Sequence, residues 1–398
     1  MNLNRLLLVV ILAGPAIAMG GSVRVQNPSD PVKTLVERLD LEKYKATIRE
    51  LTVFGDRQQG TARNRDAIDW IEAQLKTYGC TNTERLTYMF PLPLNQRRTG
   101  AAGNEDGRVR GFSSPTGVNR NPEAQQNPRL RELNSGSSAN GSREEVYCTK
   151  VGVTHPEEMY IVGAHMDGLG FGEAANDDAS GTALVMELAR VFSSPDVQTE
   201  RSIRFILFNN EETSVGQGSA AYVAQRELLQ GREDPPGSGR YPEPRWLGMI
   251  QHDMMLFDHG MPRSDGTVSP EQRPEADINI EFYSGGEFGG VFSPFAAGAQ
   301  TLAWAFQRAN EKYATRYPAS VGSDMGATDS ASFISAAPAI SLRENERIAQ
   351  IGGGWNPHWH QPTDVFSAYD DKDFNLGLNA AQTTMGAVGN LARVTLKR

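Results

Sequence analysis

Apolar positions recur along this chain in two rhythms. From Pro31 to Tyr78 the spacing is helical. Leu35, Leu39, Leu41 and Tyr44 recur early, and Ile68, Trp70, Ile71 and Leu75 form a second stripe after a break near Gly55 to Gly60. Thr83 to Phe90 reads as a strand stopped by Pro91 and Pro93. From about 95 to 143 Gly, Asn, Arg, Ser and Pro dominate and the period vanishes, which predicts a long irregular insertion, a surface loop or a lid. Val146–Cys148 then reads as a strand, and Met159–Ala164 is a continuous apolar run of the kind buried on both faces of a parallel sheet. Further strands are predicted over 203–208, 247–254, 278–283 and 337–342, and helices over 179–192, 218–229, 301–313 and 374–394. This alternation argues for an α/β fold around a largely parallel sheet. No linker separates two cores, so the expectation is one domain over 19–398 carrying the insertion.

The N-terminus changes the picture of location. Arg5, the apolar stretch Leu6–Ala13, the Gly14-Pro15 breaker and Ala16-Ile17-Ala18 read as a secretory signal over 1–18, cleaved after Ala18. The apolar run is short for a membrane anchor. A secreted or periplasmic protein, free of the membrane after cleavage, is the expectation. In such a compartment Cys80 and Cys148 could form one disulfide, or stay as two buried thiols; with no C-x-x-C pair they do not read as a metal site. The chain of 398 residues is acidic, with 39 Lys plus Arg against 48 Asp plus Glu and a net charge of −9. That excludes the basic face a nucleic-acid partner needs and a polybasic membrane-binding surface.

The candidate chemistry gathers where apolar strands stop, which in open α/β sheets is where the crevice lies. In Gly163-Ala164-His165-Met166-Asp167-Gly168, His165 and Asp167 are two apart and can share one side of extended chain. Asn176-Asp177-Asp178-Ala179-Ser180-Gly181 opens a helix; Asp and Ser are ordinary helix starters, but one carboxylate there could also bridge two cations. Glu211 and Glu212 follow a buried strand, so one can ligate a metal while the other serves as a base. In Gln251-His252-Asp253 alternation parts the last two residues, Asp253 being the candidate ligand and His252 a packed histidine. His358 and His360, in the stretch from Asn356 to Asp364, could each ligate.

Taken together, "GAHMDG", "ANDDASGTA", "RFILFNNEETSVGQGSAAY", "HDM", "TDSASF" followed by "APAISL", and "HWHQPTD" resemble, in order, the motifs of the M28 family of co-catalytic zinc peptidases. That family includes secreted aminopeptidases, glutamate carboxypeptidases and the related glutaminyl cyclases. The resemblance covers roughly residues 145–390. It implies a three-layer α/β/α zinc-peptidase architecture with a mixed, mostly parallel central sheet, and two Zn²⁺ per chain. Asp177 would bridge both zincs, His165 and Asp253 would complete one, and Glu212 and His360 the other. Glu211 would be the general base and Asp167 would orient His165. It also implies a cis peptide after the bridging aspartate. Gln361 departs from the small hydroxyl residue usual after the last histidine, while Asp364 keeps the spacing of the acid that follows. Asp329 matches an acid near the family's substrate site, and the loop from Arg343 through Trp355 to Trp359 could shape the pocket.

Zinc takes histidine nitrogen and carboxylate oxygen and leaves a position for water. Two Zn²⁺ balanced by three carboxylates and a hydroxide would make a neutral core, which eases burial. The expected function is hydrolysis of peptide bonds by an exopeptidase, an aminopeptidase first. A carboxypeptidase, for which Arg343 could grip a terminal carboxylate, and a glutaminyl cyclase are the alternatives within the family. A metal-binding protein without activity on the same fold, or a structural calcium site, are those outside it; two histidine ligands favour a transition metal.

Overall fold

The period-two runs become strands whose alternate residues feed two cores. In the computed structural model, β3 (His155–His165) sends Tyr160, Val162 and Ala164 into one core and Met159 and Ile161 into the other. β5 (Arg201–Phe208) divides the same way, with Ile203, Phe205 and Leu207 opposite Ile206 and Phe208. The residues described are 30–91, 118–212, 216–257, 278–283, 293–314, 316–323, 328–344 and 356–397. Pro31–Arg398 is one compact unit. The leader read over 1–18, the first part of the insertion and Trp355 lie outside the described residues.

Among those residues the main sheet has eight strands. They include β1 (Thr83–Phe90), β2 (Gly141–Lys150), β6 (Arg245–His252), β7 (Ile278–Phe282), β8 (Ala319–Ser323) and β9 (Ala339–Glu344). The order is β1-β2-β5-β3-β6-β9-β7-β8. The central strands β5, β3, β6 and β9 run parallel, so their carboxyl ends open on one edge. β2 meets β5 antiparallel, and β7 meets β9 antiparallel. β4 (Val197–Thr199) and β10 (Val394–Leu396) form a separate pair. The strand β8 carries Ser, Gly and Ala, and no apolar run in the sequence announces it.

Helices cover both faces. α1 (Pro31–Val36), α2 (Leu41–Thr52), α3 (Ala62–Thr77), α5 (Ala179–Phe192), α7 (Ala296–Tyr313) and the final α8 (Asp371–Leu391) feed the larger core. α6 (Gln217–Arg226) and the residues around Phe333 cover the smaller one. Polar caps fix their starts: Asp40 accepts the amides of Glu42 and Lys43 for α2, and Asp370 with Asp373 forms a capping box for α8. Cys80, just beyond α3, is disulfide-bonded to Cys148 on β2, which ties that helix to the sheet.

The insertion differs from the irregular loop expected over 95–143. Its second half is ordered: a turn at Pro122–Ala124 and the short helix α4 (Pro128–Leu133) precede β2, which starts at Gly141. Side-chain amides hold it, with Asn134 donating to the Gly172 carbonyl at 2.7 Å and accepting the Asp56 amide at 3.1 Å. Polar anchors of this kind leave no apolar period to read.

Candidate metal centre

The parallel register sets the site. His165 ends β3 opposite Phe208 of β5, and Asp253 directly follows β6. Glu211 and Glu212 lie just beyond β5, while Asp177 and Asp178 lead into α5. The turn after Asn356 brings in His360. These residues form two groups that meet at one carboxylate. His165 Nε2 is 3.3 Å from Asp177 Oδ1 and 3.6 Å from Asp253 Oδ1. His360 Nε2 is 3.0 Å from Asp177 Oδ2 and 2.7 Å from Glu212 Oε2. In each group the candidate donor atoms lie within 4.8 Å of one another. Asp177 thus offers one oxygen to each group, and the Asp177–Asp178 peptide is cis.

The electrostatics of the site suit a bound cation. Burial pushes Glu212 up to about 7, with Asp177 adding to the effect. Burial drives Glu211 well above the usual carboxylate range although His165 is near. Both imidazoles are pulled well above their usual range against their burial, His165 by Glu211 and His360 by Glu212. Burial opposes ionisation of Asp177 too, but contacts with His165 and His360 hold it low. The Oε1 atom of Glu212 is buried with no hydrogen-bond partner. Two imidazoles and three carboxylates are a donor set suited to two zinc ions.

The surrounding hydrogen bonds fix this geometry. Asp178 accepts the His165 amide through Oδ2 at 3.2 Å, and the Gly181 and Met254 amides through Oδ1 at 2.8 and 3.2 Å. It caps α5 and also ties down the segments bearing His165 and Asp253. A Cβ on Gly181 would sit 2.5 Å from Asp178 Oδ1, so this close approach requires glycine. Asp364 accepts the Asn176 and Asp177 amides at 2.9 and 3.2 Å. Glu344 accepts from Asn176 at 3.0 Å, Asn356 at 3.2 Å and the Phe257 amide at 2.8 Å.

One expected role looks different in the structure. The His165 Nδ1 atom lies 3.0 Å from the main-chain oxygen of Asp167, and the nearest Asp167 carboxylate oxygen is 3.9 Å away. That carboxylate instead accepts the amides of Glu211 at 3.1 Å and Glu212 at 3.4 Å. Arg343, read as exposed, structural or a carboxylate grip, is buried with Nη2 2.7 Å from Asp253 Oδ2.

Other candidates fall into place around the two groups. His252 packs between the Gly163 carbonyl and Thr384, and burial lowers it to about 4. His358 turns away toward Thr363 and Tyr369. Trp359 stacks on the His360 ring at 4.0 Å between centroids. Asp329 is buried outside both groups, accepts from Gln251 at 3.1 Å, and is pushed up to about 7 by burial. Arg57 was not foreseen: fully buried, it donates to the carbonyls of Met166, Glu173 and Ala174, each at 2.8 Å, and so holds the loop after His165. It sits in the break between two helical stripes, where periodicity carries no signal.

The sequence profile of peptidase family M28 matches residues 146–382, more than half of the chain. The chain belongs to peptidase family M28. Aminopeptidase YwaD of Bacillus subtilis is 42% identical over 79 residues, covering 19% of this chain and 16% of that protein. A probable zinc metalloprotease of Pyrenophora tritici-repentis is 26% identical over 227 residues, covering 54% of this chain and 39% of its own length. The matches thus span well under half of these relatives. An aminopeptidase from Aneurinibacillus sp. strain AM-1 shares the fold with a TM-score of 0.59 at 19% identity, over 92% of this chain and 97% of its own. Porphyromonas gingivalis glutaminyl cyclase does so with a TM-score of 0.55 at 16% identity, over 89% and 99%. This M28 chain therefore has the α/β architecture with a mostly parallel central sheet that its neighbours share. No described helix is long and apolar enough to cross a membrane.

Proposed function

We propose that this chain is an exported metallopeptidase that uses two zinc ions to hydrolyse peptide bonds, acting as an aminopeptidase. The observation that carries the reading is Asp177, whose two oxygens serve two separate histidine–carboxylate groups. His165 and Asp253 would hold one zinc, and Glu212 and His360 the other. Zinc bound there supplies a more acidic water and a Lewis acid for the scissile carbonyl.

The chain's own groups do the rest. Glu211 takes the proton of the attacking water and delivers it to the leaving amine. Asp167 fixes its position by accepting the amides of Glu211 and Glu212. Arg343 is paired with Asp253, which speaks against its serving as a grip for a terminal carboxylate. The aminopeptidase reading is supported by the likeness to aminopeptidases in sequence and fold. Export rests on the leader read over 1–18 and is supported by the Cys80–Cys148 disulfide, which suits an oxidising compartment.

A panel of short peptides with free or blocked N-termini tests this reading. Release of the first residue from free peptides alone is the expected result. Cleavage of blocked peptides from the other end would make the protein a carboxypeptidase. Ammonia loss from an N-terminal glutamine would make it a cyclase, and metal binding without turnover a binding protein.

A further inference from the structure

The ordered half of the insertion reaches the loop that carries His360. The Asn119 amide donates to the His360 carbonyl at 3.0 Å, and the Asn119 side-chain amide donates to Gln361 Oε1 at 3.3 Å. Gln125 is buried, and its side-chain nitrogen donates to the carbonyls of Phe171 at 2.7 Å and Pro362 at 3.0 Å. Its side-chain oxygen accepts the Asn127 amide at 2.9 Å, so both ends of the group are used. One amide thereby staples three segments: the insertion, the loop after His165 and the loop bearing His360.

The His360 backbone needs such support. Its φ is +54°, in the left-handed region that is strained for a residue with a Cβ. On its other side the backbone lies against Gly170, where a Cβ would sit 2.3 Å from the His360 carbonyl carbon. The Glu173 amide donates to the Asp364 carbonyl at 2.7 Å at the far end of the same loop. The loop is thus held between the segment after His165 on one side and the insertion on the other.

We infer that residues 119–134 are a clasp for the second metal site, with Gln125 and Asn119 as positioning residues that aim His360 at Asp177 and Glu212. This rests on the metal-centre reading above. Groups that orient a ligand without touching the metal typically contribute about 10- to 100-fold in metal affinity. The clasp is expected to act mainly on one site of the two, because Asn119 bonds the His360 carbonyl and Gln361 directly, whereas the contact with the loop after His165 falls at Phe171, six residues beyond that ligand.

The test is zinc titration of the apoprotein against a competing chelator, which resolves two binding constants. Gln125→Met keeps the side chain's length but removes its donor and acceptor. Asn119→Pro removes the amide that holds the His360 carbonyl. Both variants should bind one zinc as the parent does and the other roughly tenfold or more weakly. Glu123→Ala, an exposed change in the same segment that breaks only the pair with Arg131, should leave both constants unchanged. Parental affinity at both sites in folded Gln125→Met and Asn119→Pro overturns the clasp, even if their melting temperatures fall. A parent protein that binds fewer than two zincs instead overturns the metal-centre reading.

Discussion

Arg204 and the strand-end acids are buried alike, yet their surroundings treat charge in opposite ways. Arg204 of β5 donates to Glu243 Oε2 at 2.5 Å, to Thr149 at 3.0 Å and to the Pro242 carbonyl at 3.1 Å, and also bonds Tyr222. Glu243 Oε1 accepts from Tyr222 at 2.8 Å and from Trp246 at 2.5 Å. One cation meets one anion, and both carboxylate oxygens are used. At the carboxyl ends of the strands, Asp177, Glu211, Glu212 and Asp253 meet two imidazoles and Arg343, and Glu212 keeps an unpartnered buried oxygen. Burial of charge by itself therefore does not mark a site. The Arg204 cluster closes on its own partners, whereas the strand-end acids converge with two imidazoles into two groups of metal-type donors that share Asp177.

The largest effect that would sharpen this contrast is on turnover. Glu211→Gln should keep bound metal and lose about 10³-fold in kcat, since a positioned proton-transfer group contributes on that order. Parental activity in that variant would show the proton moves elsewhere. At the other cluster, Glu243→Gln should lower unfolding free energy by about 3–5 kcal/mol by stranding Arg204, with metal content of the folded protein unchanged. Denaturant melts combined with metal analysis decide it, and loss of metal would show that the clusters are not separate.

A smaller effect is expected at Asp167. Asp167→Asn leaves only one acceptor oxygen for the Glu211 and Glu212 amides, and activity should fall about 10- to 100-fold. If it instead left turnover intact, the amide contacts would be incidental. The smallest effect concerns pH. Burial pushes Glu344 up to about 7 from its ordinary 4.5, so the folded state binds this proton more tightly than the unfolded one. Its contribution to stability is complete below about 4.5 and is lost as pH rises through about 7. Unfolding free energy should thus vary less with pH across that window in Glu344→Gln than in the parent, and an equal slope would contradict the assignment.

Much of this layout was legible because burial writes a period into sequence. The runs 159–164 and 203–208 became β3 and β5, and the acids placed just beyond such runs converge. His252 and Asp253 parted as strand alternation requires, and His360 rather than His358 faces Asp177. What was not legible depends on contacts between distant segments. Arg57 holds its loop through main-chain carbonyls, which any residue supplies. The Asp167 carboxylate serves amides 44 and 45 residues away, so no local pattern points to it. The insertion is anchored by isolated amides such as Gln125 and Asn134, which look like ordinary loop residues.

The most direct test of the central claim is metal stoichiometry of the gently purified protein and of two variants. The shared-carboxylate arrangement predicts two zinc ions per parent chain, one in His360→Ala and none held tightly in Asp177→Ala. One ion or none in the parent, calcium in place of a transition metal, or two tightly bound zincs in Asp177→Ala would contradict it.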